Sequence, residues 1–348
     1  MKKIICAVLV LTMVVATAAM MTGCGEKTKE LNIITWVDYT PQDVMEQFEE
    51  ETGIRVNAKY VSSNEEMLVI LREQKNTYDV VVCSDAVIDL MIREGKLVQK
   101  LNKAQIPNFK NIAPQYQSNY YDPDNEYTVP HAAYEPILVY NTEKSPIEIK
   151  GYNDLWNPAL KNSVVVIDDL RGVIGMTAQA MGGSINETDP AVLESVKAKL
   201  MELRPNIIAF DADRPHEAML RGDAVAGYMF GSQATAAMAE NPAITYVYPE
   251  EGFSTGIDCY VVAYGAPNKA NAMKFLDFIL QGEVSAHISE QINYTNCNTE
   301  AKPFLPAEFL ANPTFNIPAE KLVGAQFYQD LGDAQLIYDK MWTEFKSR

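Results

Sequence analysis

From residue 31 to residue 95 the chain alternates between strand-like and helix-like segments, and this order constrains the fold more than any other feature. Residues 31–36, 54–61 and 78–82 are apolar runs of strand length, and a helix-like segment follows each of them. A βαβαβα order predicts a mostly parallel sheet with helices on both faces.

Capping signals mark the starts of the first two predicted helices. Thr40 precedes Pro41, so Thr40 is predicted to cap the first helix, and that helix is expected to end at Gly53. Ser63 and Glu66 have the spacing of a capping box, which predicts the start of the second helix.

A second alternation of the same kind covers the later part of the chain. Predicted strands lie at 163–167, 207–210, 224–230 and 258–264, and predicted helices at 173–181, 190–203, 215–221, 271–280 and 336–345. A chain of 348 residues is longer than one core usually organises. The sequence therefore predicts an α/β protein of two lobes, with a ligand cleft between them.

The N-terminal residues have the composition of a secretory signal. Lys2 and Lys3 precede an apolar run over residues 4–21, and small residues lead to Cys24. This pattern predicts a lipoprotein signal peptide over residues 1–23, with Cys24 lipidated and anchored to the outer side of the cell membrane. The alternative is an uncleaved transmembrane anchor, since the apolar run is just long enough to span a bilayer.

Charge and cysteine content exclude two classes of protein. A formal net charge of −17 argues against nucleic acid as a partner, because like charges repel. Cys83, Cys259 and Cys297 are too few for a disulfide framework, and their odd number leaves at least one free thiol. A bond between Cys259 and Cys297 is one pairing to be tested.

Enzyme signatures are absent from the sequence. It contains no phosphate-binding glycine loop, no dinucleotide fingerprint and no serine-hydrolase elbow. His131, His216 and His287 are far apart along the chain, which disfavours a histidine metal cluster. We therefore predict neither catalysis nor a metal or other cofactor.

Aromatic residues, acidic residues and one serine stand at or just after the C-terminal ends of the predicted strands, where sheets of this type bind ligands. These residues are Trp36, Asp38, Tyr39, Ser84, Asp85, Asp168, Asp169 and Phe230. Such a set suits an organic cation, because a carboxylate attracts an ammonium by about 4 kcal/mol at an effective dielectric of ~20, before desolvation. A ring face adds roughly 0.5–2 kcal/mol. Each residue alone could instead pack in the core or cap a helix.

Taken together, these segments resemble the bacterial polyamine-binding proteins, which are the spermidine/putrescine receptors of ABC importers. The resemblance runs from about residue 31 to the C-terminus and is carried by residues 35–41, 48–56, 63–65, 78–81, 152–158, 168–171, 229–232, 256–258, 292–294 and 329–332. It implies a two-lobed periplasmic-binding-protein fold of type II. It also implies that residues 31–134 and 258–299 form one lobe, and residues 135–257 and 300–348 the other.

The resemblance also implies roles for single residues. Four rings would enclose the aliphatic part of the ligand: Trp36, Tyr39, Phe230 and Tyr294. Asp169 and Asp258 would bind ammonium groups, and Ser84 would supply a polar contact.

This chain departs from the family pattern at several of these positions. Gly172 stands where spermidine binders carry a glutamate, and Gly256 stands where they carry a tryptophan. Tyr328 aligns with a family glutamine. Asp85 and Glu135 are acids that the pattern does not have, and Asp85 lies beside Ser84. Loss of one carboxylate and one ring would weaken a spermidine site unless the new acids compensate.

These observations predict a lipid-anchored, monomeric receptor that captures a polyamine and delivers it to an ABC permease with its ATPase. Lobe closure, rather than catalysis, would retain the ligand. One alternative keeps the fold and role but changes the ligand to another organic cation, a zwitterion or a metal complex. Another is an extracellular enzyme or a sensor subunit on the same scaffold.

Overall fold

The computed structural model describes residues 29–37, 39–318 and 320–347. Its strands are β1 (Glu30–Trp36), β2 (Arg55–Val61), β3 (Val80–Ser84), β4 (Val98–Gln99), β5 (Thr128–Tyr134), β6 (Pro136–Asn141), β7 (Val164–Val166), β8 (Ile207–Phe210), β9 (Ala226–Phe230), β10 (Ile244–Val247), β11 (Ser254–Ala263), β12 (Thr295–Asn296) and β13 (Gln326–Phe327).

The α-helices alternate with these strands. They are α1 (Gln42–Thr52), α2 (Asn64–Glu73), α3 (Asp85–Glu94), α4 (Leu170–Ala180), α5 (Pro190–Leu203), α6 (Pro215–Arg221), α7 (Gly231–Glu240), α8 (Lys269–Ile279), α9 (Gly282–Ile292), α10 (Ala307–Leu310) and α11 (Gln335–Ser347). Within the described ranges, none of these helices combines the length and the apolar character needed to cross a bilayer. The predicted signal peptide and Cys24 lie outside the described residues.

The described strands form two sheets. The first has the order β12-β5-β11-β3-β1-β2, with β4 and β13 also paired to β11, and the second has the order β10-β6-β9-β7-β8. In the first sheet β1 pairs in parallel with β2 and β3, whereas β11 runs antiparallel to β3 and β5. In the second, β7 is parallel to β8 and β9, and β6 is antiparallel to β9 and β10. The predicted two-lobed α/β fold is confirmed, and each sheet is mixed.

Helices cover both faces of the first sheet. On one face α1, α8 and α9 bury a core that includes Phe48 and Phe275. On the other face α2 and α3 bury Met67 and Ile88 against alternate residues of the same strands. The second sheet has its own core, to which α11 contributes Phe345 by packing against α4 and α5.

Of the two predicted helix caps, that of Ser63 is confirmed and that of Thr40 is wrong. The Ser63 hydroxyl accepts the Glu66 N–H at 3.2 Å, so Ser63 caps α2 as predicted. The prediction for Thr40 is wrong, because α1 begins at Gln42 with Pro41 before it. The Thr40 hydroxyl is instead bonded to the hydroxyls of Thr35 and Tyr260, at 2.9 and 3.1 Å. This buried network competes with the cap for the same oxygen atom.

The chain crosses between the sheets at adjacent places. Glu135 alone separates β5 of the first sheet from β6 of the second, and residues 248–253 return the chain from β10 to β11. The two crossings lie side by side, because Tyr134 is opposite Gly256 on the paired strands. After residue 310 the chain crosses again, since β13 pairs with β11 while α11 packs in the second core. The residue-level lobe limits stay a prediction.

Candidate functional site

Rings from both lobes meet at the cleft between the sheets. Tyr39 follows β1, and its ring centroid lies 5.0 Å from that of Trp36 and 5.8 Å from that of Tyr294. Phe230, at the end of β9 in the second lobe, lies 6.5 Å from Tyr294. Centroid separations of 4.5–7 Å are those of favourable aromatic pairs. The structure thus brings together the four rings that the sequence predicts.

Asp258 lies beneath these rings, in the middle of β11. The Tyr39 hydroxyl donates to its Oδ2 at 2.6 Å, whereas its Oδ1 has no hydrogen-bond partner although the residue is 5% exposed. Burial raises the pKa of this carboxyl to about 6, against the opposing hydrogen bonds from Tyr39 and Ser84. An irregularity in the pairing with β5 occurs between Asp258 and Cys259, next to the carboxyl.

Asp85 adds a second buried carboxyl at the first residue of α3. Its side chain is fully buried; Oδ1 accepts the Ala86 N–H at 2.9 Å, and Oδ2 has no hydrogen-bond partner. Burial raises its pKa well above the usual range, and the charge of Asp258 raises it further. Asp258 pairs in register with Ser84, the residue before Asp85, so the two acids belong to neighbouring segments of the first lobe. The backbone N–H groups of Ala86 and Ile257 lower the pKa of Asp85 but do not outweigh burial.

Asp169 lies on the second lobe as the cap of α4. Its Oδ1 accepts the Gly172 N–H at 2.5 Å. Burial raises its pKa, and the charge of Glu65, from the first lobe, acts in the same direction. Asp168 points elsewhere, because Lys346 donates to its Oδ1 at 2.7 Å. Of this acidic pair, Asp169 is therefore the member that faces the cleft.

Tyr328 lines the site, and its hydroxyl already donates a hydrogen bond within the protein. It is 4% exposed, and its hydroxyl donates to Ser254 Oγ at 3.0 Å. Its carbonyl accepts the Tyr120 hydroxyl at 2.7 Å, and the Arg171 guanidinium lies 5.4 Å from its ring centroid. Asp38, the remaining predicted ligand residue, lies outside the described residues.

Tyr134 is a site residue that the sequence analysis missed. Its ring lies 5.7 Å from Phe230 and 6.4 Å from Tyr294, and a β-carbon at Gly256 would collide with it. The ring therefore occupies space next to the backbone where the family pattern places a tryptophan. Gly256 was the sequence feature that could have pointed to Tyr134, since a glycine there leaves room for a neighbouring ring. Its cross-strand partner could not be identified, because β5 was not predicted.

Glu135, the other unexpected acid, faces away from Tyr134. Its Oε1 accepts the Thr255 hydroxyl at 2.8 Å at the crossing between the lobes, where Glu135 is 6% exposed. Burial raises its pKa to about 7. Since consecutive residues of an extended chain point to opposite sides, Glu135 belongs to the crossing rather than to the ring cluster.

His131 and the three cysteines near the cleft are packing residues. His131 lies between Tyr39 and Tyr260, and burial lowers its pKa to about 3, so it is neutral at physiological pH. Cys83, Cys259 and Cys297 are buried and free, so the bond considered between Cys259 and Cys297 is not formed. In the described part of the chain, no group of three or more His, Cys, Asp or Glu residues is arranged to hold a metal ion.

A cleft lined from two α/β lobes is a solute-binding architecture, and comparison with known proteins agrees with it. Residues 43–317 match the family model of bacterial extracellular solute-binding proteins. The chain belongs to this family, which places it outside the cytoplasm.

Individual relatives cover nearly the whole chain. The spermidine/putrescine-binding periplasmic protein of Salmonella typhimurium is 32% identical over 91% of both chains, and that of Escherichia coli is 31% identical over 94% of both. Among solved structures, a putative spermidine/putrescine ABC transporter from Listeria monocytogenes is 31% identical, with a TM-score of 0.86 over 91% of this chain and 99% of its own.

Proposed function

We propose that this protein is a lipid-anchored, extracytoplasmic receptor that captures putrescine or spermidine for import by an ABC permease and its ATPase. The observation that carries the proposal is Asp258, a buried carboxyl with one unpaired oxygen beneath rings from both lobes. A buried carboxylate with an unpaired oxygen is unfavourable unless a cation neutralises it. The relatives named as spermidine/putrescine-binding proteins support the same ligand class.

Each part of a polyamine has a counterpart in the cleft. Asp258 in one lobe and Asp169 in the other would accept ammonium groups, each worth up to about 4 kcal/mol at an effective dielectric of ~20, before desolvation. Between them the rings would cover the methylene chain, at about 0.8 kcal/mol for each buried methylene. Because these groups come from two lobes, the ligand would hold the lobes closed, and no catalytic step is needed.

The anchor and the importer are the remaining parts of the proposal. The anchor is supported by Lys2, Lys3, the apolar run and Cys24, all outside the described residues. A permease and its ATPase are supported by the relative whose name includes an ABC transporter. A monomer is sufficient for this role, because one chain supplies both walls of the cleft.

Calorimetric titration of the form that starts after Cys24 tests the ligand. We expect one-to-one binding of putrescine or spermidine at micromolar concentration or below. Asp258→Asn should weaken it by about 100-fold, since charged hydrogen bonds in a buried site contribute roughly 1.5–3 kcal/mol. Asp168→Asn is the matched control, because its carboxylate is bonded to Lys346 outside the cleft. Unchanged affinity in Asp258→Asn would refute the ligand assignment.

A different small ligand on the same scaffold is the second candidate, and Gly172 favours it. A β-carbon at Gly172 would lie 3.0 Å from Ile167 Cδ1 and 3.2 Å from Asp169 Oδ1, so the helix start leaves little room for the family glutamate. A thermal-shift screen of organic cations, zwitterions and metal complexes separates the candidates. Stabilisation by one of these, with no response to either polyamine, would favour the second.

A further inference from the structure

Ser84 occupies the N-cap position of α3, but its hydroxyl does not cap that helix. A serine at this position usually accepts a backbone N–H from the first turn of its helix. Here the side chain makes no such bond, although the residue is only 8% exposed. Because buried hydroxyls are almost always hydrogen-bonded, this one must find its partners outside α3.

Asn64, the first residue of α2, contacts Ser84 with both ends of its side-chain amide. Its Oδ1 accepts the Ser84 N–H at 3.2 Å, and its Nδ2 donates to Ser84 Oγ at 3.2 Å. The orientation of the amide follows from its partners, because a backbone N–H can only donate and therefore faces the amide oxygen. Since Nδ2 can also only donate, Ser84 Oγ is the acceptor in this bond, and its own hydrogen points away from Asn64.

Strand register places the carboxyl of Asp258 beside this hydrogen. Ser84 and Asp258 are directly opposite each other on the antiparallel strands β3 and β11. Opposite residues of such a pair point to the same face, with β-carbons about 4.5–5.5 Å apart. A carboxylate has about four acceptor sites, and the Tyr39 hydroxyl uses one of them on Oδ2. The Ser84 hydroxyl can therefore donate to Asp258 and leave sites for a ligand ammonium group.

We propose that Asn64 is a positioning residue that turns the Ser84 hydroxyl away from α3 and toward Asp258, and thereby favours the ionised carboxylate that binds a ligand ammonium group. This inference rests on the proposed function for its ligand, and it adds a residue that acts through two others rather than by contact. A hydroxyl that donates to a carboxylate stabilises the ionised form. In agreement, burial raises the pKa of Asp258, and the hydrogen bonds of Tyr39 and Ser84 oppose this rise.

The pH dependence of binding distinguishes this role from a purely structural one. Without the Ser84 donor, the pKa of Asp258 should rise from about 6 by roughly one unit. Polyamine affinity should then fall by about eightfold at pH 5.5, where the carboxyl of the variant is almost fully protonated. At pH 8.5 the affinity should be unchanged, because Asp258 is ionised in both proteins. A distorted fold would instead weaken binding equally at both pH values.

The other titratable groups around Asp258 do not produce this signature. They are Tyr39, Tyr134, Tyr260, Tyr294, Cys83, Cys297, Asp85 and His131. Burial raises the pKa of the tyrosines and thiols and lowers that of His131 to about 3, so all of these stay neutral between pH 5.5 and pH 8.5. Asp85 is bonded to the Ala86 N–H rather than to Asn64, so its contribution is common to all the proteins compared.

The test compares Asn64→Ala, Ser84→Ala and the double variant with the wild type. The titration of Asp258 is measured in the ligand-free proteins by carbon-13 NMR of labelled aspartate carboxyls, with Asp258→Asn to assign the resonance. Putrescine and spermidine affinities are measured by calorimetry at pH 5.5 and pH 8.5. Each single variant should raise the midpoint of Asp258 by about one unit. The double variant should raise it no further than Ser84→Ala does, because Asn64 acts through that hydroxyl.

Ser63→Ala is the matched control, because Ser63 caps the same helix through the Glu66 N–H rather than by contact with Ser84. It should lower the melting temperature through the lost cap and leave the midpoint of Asp258 unchanged. Asn64→Ala should melt close to the wild type, since the Ser84 hydroxyl is then free to cap α3.

The two readouts separate this inference from the proposed function. An unchanged midpoint of Asp258 in Asn64→Ala, or an equal loss of affinity at both pH values, would overturn the role of Asn64 alone. Absence of polyamine binding by the wild type would overturn the proposed function, whereas the titration of the ligand-free proteins would still decide whether Asn64 controls Asp258.

Discussion

Tyr39 connects the aromatic cluster to the charge of the cleft. Its ring packs on Trp36 and Tyr294, and its hydroxyl donates to Asp258 at 2.6 Å. This hydrogen bond favours the ionised form of Asp258 and opposes the effect of burial on its pKa. In the proposed complex, one side chain would therefore place a ring against the aliphatic part of the ligand and stabilise the carboxylate that binds its ammonium group.

Tyr39→Phe should separate these two roles. The ring stays, but the pKa of Asp258 should rise above 6, so tight polyamine binding should begin at a higher pH and weaken about tenfold at pH 7. Affinity measured by calorimetry from pH 5.5 to pH 8.5 checks this. Tyr260→Phe is the control, because its hydroxyl is bonded to Thr40 rather than to Asp258. Identical pH profiles for Tyr39→Phe and the wild type would contradict the role of this bond.

The family resemblance predicted four rings that the structure brings together, but it could not show which polar groups at the candidate site lack hydrogen-bond partners. Trp36, Tyr39, Phe230 and Tyr294 follow from the family pattern, and the structure clusters them. The unpaired oxygen of Asp85 is a property of what surrounds it, which no linear pattern contains. Tyr134 was missed for a similar reason, since its place beside Gly256 depends on strand register.

Among the elements, the connection between β5 and β6, which joins the lobes, contains a titratable group. Glu135 lies between β5 and β6, accepts a hydrogen bond from Thr255 at the start of β11, and has a pKa raised to about 7 by burial. In the unfolded chain a glutamate titrates near pH ~4.3. The folded protein therefore binds the proton more tightly, and its stability decreases as pH rises through this interval.

Glu135→Gln should remove that decrease. In the ligand-free wild type the loss between pH 4 and pH 8 attributable to Glu135 amounts to roughly 3 kcal/mol, because one pKa unit corresponds to about 1.4 kcal/mol. The glutamine keeps an oxygen for the Thr255 hydroxyl and carries no charge, so the variant should be the more stable protein at pH 8. Urea unfolding at pH 5 and pH 8 measures the difference. The same pH slope in both proteins would show that Glu135 does not titrate in this range.

Elements with strong local signals were predicted, and those without were not. The bounds of α5, β8 and α6 agree with the sequence patterns, since each combines clear periodicity or an apolar run with a proline or a turn signal. β5 contains Pro130 and His131, which are unusual inside a strand, and α7 is rich in small residues, which weakens its apolar periodicity. These elements form through tertiary contacts, and β5 carries the residue that sequence analysis missed.

For the whole molecule, the two-lobed fold was predictable because the length suffices for two cores and the alternation of strands and helices occurs twice along the chain. What alternation alone could not give is the antiparallel pairing of β11, which brings Asp258 next to Ser84. That pairing arises because the chain returns from the second lobe, a connection that local patterns do not encode.

The lipid anchor is a prediction about the whole molecule in its cellular setting. Cys24→Ala should abolish labelling by radioactive fatty acid and block processing at the lipoprotein site. Purified soluble protein starting after Cys24 should still bind putrescine, since the described fold begins later. Membrane retention of the wild type without any lipid on Cys24, and with residues 1–23 still attached, would support the uncleaved transmembrane anchor instead.

The adjacency of the crossings at Glu135 and at residues 248–253 has a consequence for recognition by the importer. Strands β5 and β11 are hydrogen-bonded neighbours, so we expect the two crossings to bend about a single shared axis. Ligands of different length would then produce the same closed outline. A permease that contacts only this closed surface would not need to recognise the ligand itself, because the ligand is selected before the receptor docks. Cargo range could thus change by substitutions inside the cleft, while the surface shown to the transporter stays constant.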